Sequence, residues 1–318
     1  MDPIRIVVIG TGSFGRNHVR VLHQSPNARL AGIVDADRDR AAAIGAEFSC
    51  PVFAKLEELR GKIDAAVVSV PASLHAEIGC ALMAQGIDVL IEKPIAGSME
   101  QAQTLLASAR QHNRILQVGH LERFNPAVIA LKKICRLPLF FEIHRMSLFS
   151  PRSLDVDVVL DLMIHDLDIV LDLVGKMPEE IRAAGICILS DKVDIANVRL
   201  AFPGGCVANL TASRVSTERV RKVRLFQPEQ YVSLDYQRQD GAVFSVSGDR
   251  QIGYQPLAVT KDEPLRLELE SFLESVAKRQ SLGVSGEEGA RALGVALAIL
   301  DNIEEHTKTV AKTLQALR

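Results

Sequence analysis

Five short apolar runs, IRIVVIG (4–10), RLAGIVD (29–35), IDAAVVSV (63–70), IDVLIEKP (87–94) and RILQVGH (114–120), constrain the fold of this chain more than any other feature. Helix-length segments separate them, and the runs are apolar on both sides rather than alternating, so each strand is covered above and below. That pattern predicts a doubly wound parallel sheet over the first 120 or so residues. After residue 125 it changes to strand-like runs without intervening helices, at 180–189, 193–202, 205–214, 220–226, 231–237 and 242–248. Successive strands with turn signals such as FPGG imply a largely antiparallel or mixed sheet. The expected architecture is therefore α/β: an N-terminal Rossmann domain over 1–122 and a C-terminal α+β domain with an open sheet over 123–318. The last helical stretches, LRLELESFLESVAKR and EEGARALGVALAILDNIEEH, are expected to pack back on the first domain.

The loop after the first run reads GTGSFG, residues 10–15. Between a strand and a helix, Gly10 permits a tight turn, Gly12 lets a pyrophosphate approach the backbone, and Gly15 lets helix and strand pack closely. Ser13 and Phe14 then open a helix whose N-terminus favours phosphate charge. Asp35 ends the second strand twenty residues after Gly15, where a carboxylate accepts hydrogen bonds from an adenosine ribose. The carboxylate would repel a 2′-phosphate, so NAD is favoured; Arg38 keeps NADP as the lesser alternative.

Ligands of such a sheet lie beyond the carboxyl ends of its strands, which here carry Pro71 and His75, Glu92-Lys93-Pro94, and His120 with Arg123, Phe124 and Asn125. A lysine ending a buried parallel strand suits a reacting carbonyl or hydroxyl better than it suits solubility, and a salt bridge to a nearby acid is the alternative. A second chemical signal is VLDLMIHDLDIVLDL (159–173), an apolar helix whose polar residues are all Asp or His. At about 100° per residue, Asp157, Asp161, His165, Asp168 and Asp172 fall on one stripe. Asp161 and His165 lie one turn apart, so Asp161 is expected to orient an imidazole able to take a hydroxyl proton near neutral pH. Lys93 is expected opposite, and Lys93 and His165 could exchange the roles of base and charge stabiliser.

Composition narrows the partner. A net charge of −2 without a Lys/Arg block gives a nucleic-acid or anionic-lipid partner no electrostatic basis. The five cysteines are odd in number, widely spaced and without zinc-ligand spacing, so they read as reduced thiols, and no metal is expected. Without a basic-then-apolar leader or an apolar run of membrane-spanning length, the expected compartment is the cytoplasm and the expected ligand a small molecule.

Together GTGSFG, the EKP of 92–94 and the Asp-x-x-x-His of 161–165 resemble the Gfo/Idh/MocA family of nicotinamide-dependent oxidoreductases, in order and over the whole chain. The resemblance implies a catalytic set of Lys93, Asp161 and His165, and nicotinamide-side contacts from Pro71, His75, Glu92 and Lys93. It also implies that the open face of the second sheet makes an oligomer contact, giving a homodimer or homotetramer. GHLERFNPA (119–127), HRMSLFSPR (144–152), DVDVVLDLMIHDLD (155–168) and NLTASRVSTERVRK (209–222) are similar to the branch that oxidises UDP-N-acetylglucosamine at carbon 3. That resemblance implies a 3-keto product passed to an aminotransferase for 3-amino sugars of lipid A. His120, Arg123, Phe124, Asn125, Arg145, Arg152 and Arg214 are then the substrate-side candidates, the arginines because their planar fork suits a diphosphate. The competing expectations are a dehydrogenase of the same family for another sugar, an inositol or a uronate, and a regulator that senses NAD without catalysis.

Overall fold

The computed structural model describes residues 2–149, 156–249 and 251–316. The chain divides into two compact units, Met1–Leu121 with Glu263–Leu293, and Glu122–Asp262 with Gly294–Arg318.

The first unit is built on a six-stranded, wholly parallel sheet of β1 (Ile4–Ile9), β2 (Ala28–Val34), β3 (Val52–Phe53), β4 (Ala65–Val68), β5 (Asp88–Glu92) and β6 (Leu116–Gly119). Its order is β3-β2-β1-β4-β5-β6, so the chain leaves β1 toward one edge and returns through β4 toward the other. This reversal is the switch point at which such sheets bind ligands. Helices α1 (Ser13–Gln24), α2 (Arg38–Glu47), α3 (His75–Ala84) and α4 (Met99–Gln111) make the connections. Every residue of β4 and β5 is buried, as strands covered on both faces require.

A later helix, α7 (Pro264–Lys278), belongs to this unit. Leu265, Leu269, Phe272, Leu273 and Val276 recur at helical spacing and pack with Ile6, Val8 and Leu22 in one core. The following helix, α8 (Gly286–Ala316), contains the division between the units. The first unit is thus discontinuous in sequence, and the 123–318 expected for a second domain includes a segment of the first.

The second unit carries an eight-stranded sheet of β7 (Phe140–Leu148), β8 (Glu180–Ile186), β9 (Ile195–Ala201), β10 (Val207–Ser216), β11 (Val220–Gln227), β12 (Gln230–Asp235), β13 (Asp240–Val246) and β14 (Ile252–Pro256). Its order is β14-β13-β12-β11-β7-β10-β9-β8, antiparallel except for the pair β7–β10. Alternate residues such as Phe141, Ile143, Val223, Leu225, Val232 and Leu234 are buried. The other face carries a file of rings, Phe140, Phe226, Tyr231, Phe244 and Tyr254, with successive centroids 4.8–5.8 Å apart. Helices α5 (Pro126–Ile134) and α6 (Ile164–Val174) belong to the unit together with the later part of α8, and a π turn, Val159–Met163, leads directly into α6. No helix among the described residues is long and apolar enough to cross a membrane.

Candidate active site

In the first unit the glycine loop has two packed positions and one open position. Gly10 has φ +84°, and a Cβ there would lie 2.3 Å from the Ser69 carbonyl oxygen; a Cβ on Gly15 would lie 1.9 Å from that of Gly10. A Cβ on Gly12 meets nothing within 4 Å. Gly12 is also the N-cap of α1, whose first turn has no acidic residue, so its amide donors and dipole are available to an anion. Ser13 and Phe14 are exposed beside it.

Asp35 accepts from the Thr11 N–H (2.6 Å), the Thr11 hydroxyl (2.7 Å), the Asp37 N–H (2.8 Å) and the Arg40 guanidinium (2.8 and 3.1 Å). Burial disfavours its charge, yet these donors hold its carboxyl well below the usual carboxylate range. The basic residue bound there is Arg40, two positions beyond the expected Arg38, which is exposed. An open amide cradle followed by an ionised carboxylate at the end of β2 fits a dinucleotide. Thr11 and Arg40 were missed by sequence reasoning, because a GxGxxG spacing does not reveal which donors the acid will find.

Lys93 follows β5 and is half-buried, and the Lys93–Pro94 peptide is cis. Its backbone N–H donates to Glu92 Oε2 at 3.3 Å, while Glu92 Oε1 is 2.7 Å from His18 Nε2 in a buried pair. The Glu92 side chain therefore anchors the strand end from behind. His75 is fully buried, with Nε2 2.9 Å from the Val70 oxygen and Nδ1 3.0 Å from the Pro94 oxygen. Burial pushes its pKa down, and a neutral imidazole has one N–H to offer the two carbonyls. His75 thus ties the segment before Pro71 to the lysine turn. Pro71 itself is exposed, and His120 is buried directly after β6.

In the second unit, Asp161 lies within the π turn and His165 at the start of α6, both half-buried. A π turn advances more residues per turn than an α-helix, so the single stripe expected from a uniform α-helical rotation does not persist. Asp157 accepts the Val193 N–H (2.9 Å), and Asp166, outside the expected stripe, is almost completely buried.

The arginines expected at a substrate have partners inside this unit. Arg145 makes bonds of 2.7 and 2.9 Å to Asp166 and of 2.9 Å to Glu122, with its guanidinium over the Tyr236 ring. Burial opposes its charge, but the two carboxylates raise its pKa above the ordinary range; burial likewise opposes the Glu122 charge, which Arg145 and Arg221 nevertheless stabilise. Arg214 pairs with buried Asp194 at 2.9 Å and donates to the Val156 and Val193 carbonyls. Arg123 bonds Asp168 (2.7 Å) and Asp172 (2.6 Å). Asn125 caps α5 and donates to Glu122 and to the Tyr236 carbonyl. The geometry thus gives Arg145, Arg214 and Asn125 internal duties rather than an open, substrate-directed edge. Phe124 is half-buried, and Arg152 lies outside the described residues. Among the described residues, no group of three or more His, Cys, Asp or Glu side chains is arranged to hold a metal ion.

Comparison with known proteins agrees with this layout. A family model described as an oxidoreductase family with NAD-binding Rossmann fold matches residues 4–120, and one described as the GFO/IDH/MocA C-terminal domain matches 144–230. The UDP-N-acetylglucosamine 3-dehydrogenase of Acidithiobacillus ferrooxidans is 35% identical over 313 residues, 96% of this chain and 98% of that protein. A solved structure of that enzyme superposes with a TM-score of 0.91 at 34% identity, covering 96% of this chain and 99% of the other. An inositol 2-dehydrogenase of Rhizobium meliloti is 26% identical over 95% of this chain and 97% of its own length. The chain therefore belongs to the Gfo/Idh/MocA family and is an oxidoreductase with an NAD-binding Rossmann domain.

Proposed function

We propose that this oxidoreductase is a dehydrogenase acting on a CH–OH group, and that its substrate is a nucleotide sugar, UDP-N-acetylglucosamine, oxidised at carbon 3. The observation that carries the substrate is the end-to-end likeness to the relative of that name, at 35% identity over 96% of the chain. Gly10, Gly12, Ser13, Phe14 and Gly15 would hold the cofactor pyrophosphate, and Asp35 the ribose. Ionised Asp35 favours NAD over NADP. When bound, the nicotinamide supplies a hydride acceptor.

Lys93, Asp161 and His165 are the proposed catalytic residues. Asp161 orients His165, His165 takes the hydroxyl proton, and Lys93 steadies the charge developing on the substrate oxygen. Pro71, His75 and Glu92 shape the nicotinamide side, and His120, Arg123 and Phe124 are the remaining described substrate-side candidates. The aromatic file on the open sheet face is the proposed contact of a homodimer or homotetramer, and a 3-keto product calls for an aminotransferase to consume it. A second reading, oxidation of an inositol or another sugar, draws on the inositol dehydrogenase relative. Retention of Lys93, Asp161 and His165 together favours catalysis over NAD sensing.

The test is growth of reduced-nicotinamide absorbance when protein and NAD meet UDP-N-acetylglucosamine, with an aminotransferase and amino donor removing the ketone. Growth that is lost in Lys93→Ala and His165→Ala proteins still able to bind NAD supports the reading. Turnover of inositol but not the nucleotide sugar replaces the substrate, and no turnover of either, with tight NAD binding, turns the reading to a sensor.

A further inference from the structure

One buried acid takes no part in the reading above. Glu268, on the inner face of α7, is 1% exposed, and neither carboxyl oxygen has a hydrogen-bond partner among the described residues. A charged carboxylate left so is untenable, because nothing offsets the loss of its hydration. α7 packs against α1 and β1. Arg20 of α1 is paired with Glu263, Arg5 of β1 with Asp64, and Arg266 of α7 itself with Glu270. Glu92 of β5 and His18 of α1, whose Nδ1 also lacks a partner among the described residues, form a buried titratable pair in the same unit. The charge that acts on Glu268 is that of Glu92.

The cluster connects to the lysine turn by direct contacts. Glu92 gives one oxygen to His18 and the other to the Lys93 N–H, and a Cβ on Gly119 would lie 3.0 Å from its carboxyl atoms. The missing side chain of Gly119 leaves the space that the Glu92 carboxyl group fills, and the bond from the Lys93 N–H ties the lysine backbone to it.

We propose that Glu268 is a positioning residue for Lys93: it stays a neutral carboxylic acid, so that it sets no second negative charge beside Glu92, whose carboxyl group holds the lysine turn. Burial, followed by the Glu92 charge, keeps the Glu268 proton on well above the usual carboxylate range. Loss of that proton at high pH sets two carboxylates against each other, and their repulsion disturbs the bond between Glu92 and the Lys93 N–H. The role of Lys93 rests on the proposed dehydrogenase reading; the state of Glu268 does not.

The experiment follows the carboxylic-acid C=O stretch by infrared difference spectroscopy on the full chain, without cofactor or substrate, across a pH titration. Expected are a protonated-acid band at neutral pH that is absent in Glu268→Gln, and a midpoint that falls in Glu92→Gln, where the neighbouring charge is gone. No such band, or a midpoint unmoved by Glu92→Gln, overturns the proposal; the wild-type and Glu92→Gln arms stand even if Glu268→Gln does not fold. With substrate, wild type should lose kcat at high pH, Glu268→Gln should lack that limb, and Glu268→Ala should lower kcat throughout. An unchanged limb in Glu268→Gln refutes the positioning role. A silent substrate with an intact band refutes only the dehydrogenase reading.

Discussion

Replacing Arg145 with Met separates a structural arginine from a substrate-binding one. Its guanidinium is 2% exposed and bridges Asp166 and Glu122, themselves 1% and 7% exposed. Methionine fills most of the volume but leaves two buried carboxylates without the charge that bridges them, Glu122 keeping only its longer 3.5 Å pair with Arg221. Removing one partner of a buried ion pair costs about 3–5 kcal/mol. With a urea dependence of about 2 kcal/mol per molar, the unfolding midpoint should fall by roughly 1.5–2.5 M. The chain has no tryptophan, and its three tyrosines, Tyr231, Tyr236 and Tyr254, all lie in the second unit. Tyrosine fluorescence during urea unfolding therefore reports the unit that contains Arg145. Adding Asp166→Asn should recover part of the loss, since one of the stranded charges is gone. A midpoint that falls by less than about 0.5 M, combined with a tenfold rise in KM for the nucleotide sugar, would refute the structural assignment.

Gly12→Ala should keep wild-type urea stability and weaken NAD binding, because its Cβ enters open space where the cofactor is proposed to approach; Gly15→Ala should lose both, its Cβ lying 1.9 Å from the Gly10 oxygen. Calorimetric titration with NAD beside urea unfolding distinguishes the two. Glu122, whose folded pKa lies below its ordinary 4.5, contributes stability that is present above that value and lost as pH falls through the folded one. The urea midpoint should accordingly drop in acid, and Glu122→Gln should flatten that part of the pH dependence. Arg40→Ala should change stability by less than about 1 kcal/mol, its pair with Asp35 being half in solvent. The same variant should lower kcat/KM for NADP relative to NAD, because a 2′-phosphate would then meet an uncompensated carboxylate.

The parallel sheet was legible because strands buried on both faces must be continuous apolar runs, and five of its six are. β3 is only Val52–Phe53, too short to leave a pattern, and β14 is exposed at every residue, so it has no alternation to read. The apolar stripe of α7 was visible at helical spacing, and its Leu265, Leu269 and Phe272 pack in the first unit. The glycine loop was legible because backbone geometry demands particular residues at particular positions. The destinations of the arginines were not. Arg145 meets partners 21 and 23 residues away, and Arg123 meets one 45 residues away, separations that carry no periodic signal.

The acidic apolar helix that marks this sequence is explained by those same distances. Four of its acids are anchors: Asp157 to the Val193 amide, Asp166 to Arg145, and Asp168 and Asp172 to Arg123, with Lys132 also on Asp172. Aspartate suits such positions better than glutamate despite its poorer helix propensity, because a shorter side chain has fewer rotamers to lose when it is fixed against a buried partner. The anchors hold the helix on both sides of Asp161 and His165. The π turn then turns that pair out of register with them, and leaves both half-buried while Asp166 and Asp168 are almost completely covered. One helix thereby carries both its anchored carboxylates and the proposed catalytic pair, and breaking an anchor such as Asp168 should misplace His165 without touching it. Asp168→Asn should therefore lower kcat while NAD affinity, proposed to rest on the glycine loop of the other unit, stays at the wild-type value.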